Sequence, residues 1–339
     1  MPETGTHEVD LAIIGSGGGA FAAAIRATNL GKSVVMVERS MVGGTCVNTG
    51  CVPSKALLAA AEARHMALDA TGRFPGLSTS AAGVDMPGLI TGKDALVEGM
   101  RSDKYLDLIA DYGWELATGE AVFTGTAEDP ALEVTGADGT RQQVRAAHYL
   151  VATGSTTIVP DVEGLAEVDY LTSTTAMDLD EVPESLLIIG GGYVGMEQAQ
   201  LFARLGSKVT MVVRSRLASH EEPEVSRTLR GVFAEEGIRV LRRATVSSVA
   251  PDRDTGEVVA TVTGPGGQET LRATQLMVTV RRRPVTENLD LGSVGVDTGE
   301  HGEIVVDARM ATSHPRVWAA GDVTGHPQYV YVTPWAEAT

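Results

Sequence analysis

Two stretches of the chain share one pattern of apolar and polar positions. Each opens with a mostly apolar run, residues 9–14 (Val-Asp-Leu-Ala-Ile-Ile) and 186–189 (Leu-Leu-Ile-Ile), which reads as a buried strand. A glycine-rich turn follows in both: Gly15-Ser16-Gly17-Gly18-Gly-Ala20 in the first, Gly190-Gly-Gly192-Tyr193-Val194-Gly195 in the second. Helix-period segments come next, 21–29 stopped by Gly31 and 196–205 stopped by Gly206. Second apolar strands, 33–37 and 208–213, close the units.

β-Rich stretches with turn signals follow both units, at 117–151 and 238–280. Residues 71–92, rich in Gly, Pro, Ser and Thr, predict a loop; 93–112 have helical periodicity. Residues 316–322 predict a last strand ending in Ala320-Gly321-Asp322. The expected fold is α/β: two Rossmann-like dinucleotide-binding domains, each with a β-meander. The expected boundaries are 1–155, 156–285 and a return to the first domain over 286–339.

Composition narrows the function. The chain has 339 residues and a net charge of −17, which disfavours nucleic-acid or anionic-membrane partners. No apolar run has the length of a membrane span, and the polar N-terminus carries no signal-peptide pattern, so a cytoplasmic location is expected. His7, His65, His148, His220, His301, His314 and His326 are scattered, none at zinc spacing from a cysteine.

The first glycine turn has a defined mechanism. Gly15 permits the tight turn, Gly17 admits a pyrophosphate against the backbone, and Ala20 allows close helix–strand packing. The helix N-terminus offers unpaired N–H groups to phosphate, and Glu38, at the end of the second strand, is placed to accept from ribose hydroxyls. In the second unit the corresponding stretch is Val213-Arg214-Ser-Arg216. Arginine in place of the acid suits a 2′-phosphate, hence NADP rather than NAD.

Both cysteines fall within residues 43–55, Gly-Gly44-Thr45-Cys46-Val-Asn-Thr-Gly-Cys51-Val-Pro-Ser-Lys55. In a reducing compartment such a pair is a redox device rather than a structural staple. Pro53 suits a first helical turn, so a helix is expected to begin near Cys51, where the dipole favours a thiolate. Lys55 in that first turn opposes the dipole, which points to a role other than stability.

Together these residues resemble the flavin-dependent pyridine nucleotide–disulfide oxidoreductases, and among them the mercuric reductases. Residues 43–55 are the most specific part of the likeness; 14–23 and 190–197 lean toward the mercury branch. The resemblance implies FAD held by Gly15, Ser16, Gly17, Gly18, Ala20, Glu38, Gly44 and Thr45, with Lys55, Ala121, Thr153, Gly154 and Asp322 completing its site. It implies NADPH on Gly190, Gly192, Tyr193, Val194 and Gly195, its phosphate clasped by Arg214 and Arg216. Cys51 would face the flavin, Cys46 the substrate; Lys55 would pair with Glu197, and Tyr193 would be an aromatic gate. The implied reaction is reduction of Hg(II), bound by Cys46 and Cys51, to Hg(0), a detoxification carried out by a homodimer.

Two departures accompany the likeness. The family's Ala-Thr-Gly-Arg near the end of the second module reads Thr279-Val-Arg-Arg282 here, which is expected to crowd the NADP site. The family's dimer-interface domain and tail cysteine pair are expected beyond Asp322, whereas this chain stops at Thr339. A fragment is the expected explanation, with uncovered apolar surface around 323–339. An organic-disulfide reductase and a non-catalytic nucleotide-binding remnant are the alternatives.

Overall fold

The structure, a computed structural model, describes residues 6–325. The segments 1–5 and 326–339, including His326 and most of the stretch expected to be uncovered, lie outside the described residues. The chain divides into two compact units. The first comprises the chain up to Cys51, Val97–Thr156, and the chain from Arg282; the second comprises Val52–Leu96 and Thr157–Arg281. Residues 52–96 were expected with the first domain and group with the second.

In chain order the first elements are β1 (Thr6–Ile14), α1 (Gly18–Asn29), β2 (Val34–Glu38), α2 (Gly44–Asn48) and α3 (Cys51–Arg73). α4 (Met86–Arg101), a π-helical turn (Ser102–Leu106) and α5 (Asp107–Tyr112) come next. β3 (Glu115–Thr118), β4 (Glu120–Gly125), β5 (Pro130–Thr135), β6 (Arg141–Val151) and β7 (Ser155–Thr157) follow.

The second module continues with β8 (Tyr170–Leu171), β9 (Ser185–Ile189), α6 (Tyr193–Leu205), β10 (Lys208–Val213) and α7 (Pro223–Glu235). Then come β11 (Arg239–Arg242), β12 (Thr245–Pro251), β13 (Val258–Gly264), β14 (Gly267–Ala273) and β15 (Gln275–Val278). β16 (Arg282–Pro284) and β17 (Val317–Ala319) return to the first unit.

The main sheet of the first unit runs β3-β2-β1-β6-β5-β4, with β17 also on β6. β3, β2, β1, β6 and β17 are parallel, and β5 and β4 are the antiparallel meander. Neighbours in β1 serve opposite faces. Ile14 packs with Val35, Phe123 and Tyr149, while Ile13 packs with Phe21, Met36 and Leu150. Both faces are covered, which is why residues 9–14 are nearly all apolar rather than alternating.

The second unit repeats the scheme with a parallel sheet, β11-β10-β9-β15-β8, and an antiparallel sheet, β12-β13-β14. Ile188 and Met211 pack with Ala199 and Phe202 of α6, whereas Leu187 and Val212 pack with Ala260 and Leu271 of the meander.

The predicted loop over 71–92 is shorter than expected: 71–73 belong to the end of α3 and 86–92 to the start of α4. Only 74–85 lie outside α3 and α4. Asp85 Oδ1 accepts from the N–H of Gly88 at 3.1 Å, a helix N-cap, and Met86, Leu89 and Ile90 pack on the core at helical spacing. These outweigh the poor propensities of Gly88 and Gly92. The predicted last strand is shorter than 316–322: β17 ends at Ala319, and Gly321–Thr324 form a 3-10 turn. No described helix is long and apolar enough to cross a membrane.

Candidate functional site

The first glycine turn is built where β1 hands over to α1. Gly15 has φ +104°, and a Cβ there would sit 2.3 Å from the carbonyl oxygen of Ala152, so the strands leave room only for glycine. Gly17 and Gly18, at the start of α1, have no atom within 4 Å of a Cβ position. Ala20 is fully buried beneath the helix, where any larger side chain would push α1 off the sheet.

The cysteine loop lies on this turn. Gly43 N–H donates to Ser16 O and Ser16 Oγ, and Ser16 Oγ donates to Glu38 Oε2 at 2.5 Å. The other oxygen of Glu38 accepts from Ser40 N–H at 2.9 Å. α2 then carries Thr45 and the half-buried Cys46, and α3 begins at the exposed Cys51.

A cleft of about 360 Å³ is lined by Gly15, Ser16, Gly17, Gly18 and Glu38 on one side and by Gly44, Thr45, Cys46 and Cys51 on another. Thr153, Gly154 and Asp322 complete it. Glu38 and Thr153 also line an adjoining space of about 290 Å³, which Ala121 borders. The described residues hold no cluster of three or more His, Cys, Asp or Glu with metal-site geometry, so the soft-donor set here is the two cysteines.

Three functional neighbours escaped the sequence reading. Ser155 Oγ donates to Asp322 Oδ2 at 2.6 Å and accepts from Arg282 Nε at 2.7 Å; Arg282 Nη2 donates to Ser155 O at 2.6 Å. Burial holds the Arg282 guanidinium below its ordinary pKa, with Asp322 opposing. The third is Tyr105, in the π-helical turn, its ring edge-on to Phe21 at 4.8 Å. Burial pushes its phenol pKa up, and Cys46 and Cys51 add to the shift. A glycine-rich spacing flags the cleft; nothing in the sequence flags partners more than a hundred residues apart.

In the second unit, Gly190 has φ +137°, and its Cβ position lies 2.5 Å from Thr279 O. Gly195 is buried, its Cβ position 2.6 Å from Thr279 Oγ1, while Gly192 has no atom within 4 Å. Thr279 therefore packs beneath the turn, and Arg281 of the same departing segment is exposed. Tyr193 and Val194, opening α6, are 42% and 45% exposed. Tyr193 Oη donates to the carboxylate of Glu221. Lys55 Nζ lies 2.7 Å from Glu197 Oε1. Arg214 is exposed; Arg216 Nη2 donates to Ser219 O at 3.1 Å and Glu221 O at 2.6 Å.

The sequence pattern of the family described as pyridine nucleotide-disulphide oxidoreductase matches residues 9–336. Mercuric reductase from Streptomyces lividans is 59% identical over 323 residues, covering 95% of this chain and 67% of that protein. Mercuric reductase from Bacillus cereus is 44% identical, covering 99% of this chain and 51% of that one. Among solved structures, the HOCl-induced flavoprotein disulfide reductase RclA from Escherichia coli superposes with a TM-score of 0.82 at 27% identity, over 96% of this chain and 69% of that one. The chain thus spans between half and two thirds of the length of these curated relatives. A glycine cradle, a thiol pair on its rim and these likenesses agree: the chain belongs to the pyridine nucleotide-disulphide oxidoreductase family, in its mercuric reductase branch.

Proposed function

We propose that the chain carries the NADPH-dependent, FAD-mediated reduction of Hg(II) to Hg(0) at Cys46 and Cys51. Family membership implies a flavin and a nicotinamide nucleotide; NADPH over NADH, and Hg(II) as substrate, are our reading. One observation carries it: both thiols line the same cleft as the glycine turn, Glu38 and Asp322.

The cleft fits FAD. Open space over Gly17 and Gly18 at the α1 N-terminus suits a pyrophosphate. Glu38 suits the ribose hydroxyls, and Asp322, oriented by Ser155, supplies a further acceptor. In the second unit, open Gly192 before α6, with Arg214 and Arg216 beyond β10, suits a phosphorylated dinucleotide. Bound FAD and NADPH would supply what these side chains lack, a hydride source and a two-electron carrier.

The chain's own residues do the rest. Cys51 stands at the first position of α3 and offers one sulfur to the cleft. Cys46 on α2 offers the second sulfur. Two thiolates suit a soft cation that accepts linear coordination. The net reaction balances as NADPH plus Hg(II) giving NADP⁺, H⁺ and Hg(0).

Anaerobic NADPH oxidation by the FAD-loaded chain, with and without Hg(II) held by excess thiol, tests the reading. Mercury-dependent turnover lost in Cys46→Ala and Cys51→Ala is expected; NADPH oxidation indifferent to Hg(II) overturns it. The likeness to a flavoprotein disulfide reductase favours one second reading, reduction of an organic disulfide. Rapid turnover of such a disulfide with NADPH would select it. A cytoplasmic homodimer belongs to the same proposal, and sedimentation velocity checks the stoichiometry.

A further inference from the structure

Segment 214–221, between β10 and α7, is more constrained than a surface loop requires. Ala218 sits at φ +45°, a left-handed conformation costly for a residue with a Cβ. It is 4% exposed, and its N–H donates to Gly191 O at 2.9 Å, tying the segment to the glycine turn. Glu221 N–H donates back to Ala218 O at 3.0 Å. Arg216 braces the same turn through Ser219 O and Glu221 O. The brace delivers the Glu221 carboxylate to the hydroxyl of Tyr193. Strain of this kind, held by its surroundings, is found at active sites, ligand clamps and switch segments.

We propose that Glu221 is a latch on Tyr193, and that a 2′-phosphate arriving at Arg216 releases it. The proposal rests on the NADPH reading above and deepens it: it names what makes the second unit respond to NADPH rather than NADH.

The argument is one of differential affinity. A ligand moves a two-state element only by as much as it prefers one state. The reduced dinucleotides NADPH and NADH differ by one phosphate, so only that phosphate can make the difference. Placed on Arg216, it competes for the guanidinium that braces Glu221, because Arg binds phosphate with the same fork. Its negative charge also stands beside the Glu221 carboxylate, and like charges at that range repel. Both effects disfavour the latched arrangement. A dinucleotide without the phosphate leaves the brace intact and must displace Tyr193 against a hydrogen bond to a charged acceptor.

The test uses the purified full chain and nitration of Tyr193 by tetranitromethane, mapped by mass spectrometry. The probes are 2′,5′-ADP, which carries the phosphate but no nicotinamide, and 5′-AMP. Expected is a rise in Tyr193 nitration of about tenfold with 2′,5′-ADP and none with 5′-AMP, the scale set by one hydrogen bond to a charged group. Glu221→Gln is expected to nitrate fast without ligand and to lose the response. Its ratio of NADPH to NADH affinity by calorimetry should fall, chiefly because NADH binds better. Saturation by 2′,5′-ADP with Tyr193 nitration unchanged overturns the latch and leaves the NADPH reading standing. Failure of 2′,5′-ADP to bind overturns both, and slow basal nitration in Glu221→Gln overturns the latch alone.

Discussion

Gly44 lies directly on Gly17: a Cβ built on Gly44 would sit 2.6 Å from the Cα of Gly17. The cysteine loop and the glycine turn are therefore one piece of backbone architecture, and their glycines are needed for different reasons. Gly44 also has φ +68°, so any side chain there is both strained and in collision. Gly17 has an extended ψ and no neighbour within 4 Å of a Cβ position.

The two alanine variants should separate accordingly. Gly44→Ala is expected to lower stability by about 2–4 kcal/mol, the combined scale of backbone strain and overpacking. Gly17→Ala is expected to leave the melting temperature of the flavin-free chain unchanged while FAD affinity falls at least tenfold, because its methyl group projects into the cleft. Thermal melts and flavin titration of both variants check this; a Gly17→Ala chain that keeps its flavin affinity would mean the cleft is not the binding site.

Lys55 and Glu197 form an ion pair 2.7 Å long whose side chains are 58% and 39% exposed. At that exposure the pair is worth under ~1 kcal/mol. Lys55→Met and Glu197→Gln should therefore melt within a few degrees of the parent. Under the proposed function they should still slow NADPH-driven reduction of the thiols by about tenfold, the effect of removing one tuned charge. A stability loss of several kcal/mol in either variant would reassign the pair to structure.

How much of this could be read beforehand depended on the range of the interactions. Both strand–turn–helix–strand units were legible because a strand buried on two faces leaves an apolar run, as at Leu11–Ile14 of β1 and Leu186–Ile189 of β9, and because Gly15 and Gly190 meet a neighbouring carbonyl. The thiol pair was legible for the same local reason. The start of α4 was not: Gly88 and Gly92 argue against helix, and the Asp85 cap and Met86–Leu89–Ile90 face count only once there is a core to pack on. The contact of Asp322 with Ser155 was illegible because the two are 167 residues apart, and Arg282 is a further 127 from Ser155. Arg216 was legible as a phosphate ligand from its place after β10, but its brace on Glu221 needs the backbone of a turn that no local pattern announces.

Asp10 gives a pH signature. Its carboxyl is held at about 2, below the ordinary 3.8, first by the N–H of Ser33 and then by Lys32. A depressed folded-state pKa stabilises above the unfolded value and loses that contribution as pH falls toward the folded one. Stability should therefore drop between roughly pH 3.8 and pH 2 by a component that Asp10→Asn removes. Urea midpoints of parent and variant across that range would show it: the two curves should converge near pH 2, and parallel curves would mean the Ser33 and Lys32 contacts do not persist in solution.

The Arg282–Ser155–Asp322 chain joins a half-buried guanidinium to an acid on the cleft wall through a single hydroxyl. The direction of the bonds is fixed: Arg282 donates to Ser155, and Ser155 donates to Asp322. The hydroxyl proton is thereby committed to Oδ2 of the carboxylate, on a residue that lines the cleft. Ser155→Ala cuts the relay but keeps the charge, so it should loosen Asp322 without stranding a cation. Arg282→Met removes the charge and keeps much of the packing volume. Both variants are expected to fold, and FAD affinity should fall by about tenfold in each, the scale of one charge-assisted hydrogen bond. The double variant should lose little more than either single one, because the two act through one another. Flavin titration by fluorescence quenching across this cycle measures the coupling, and additive losses would show that Arg282 acts on the cleft by another route.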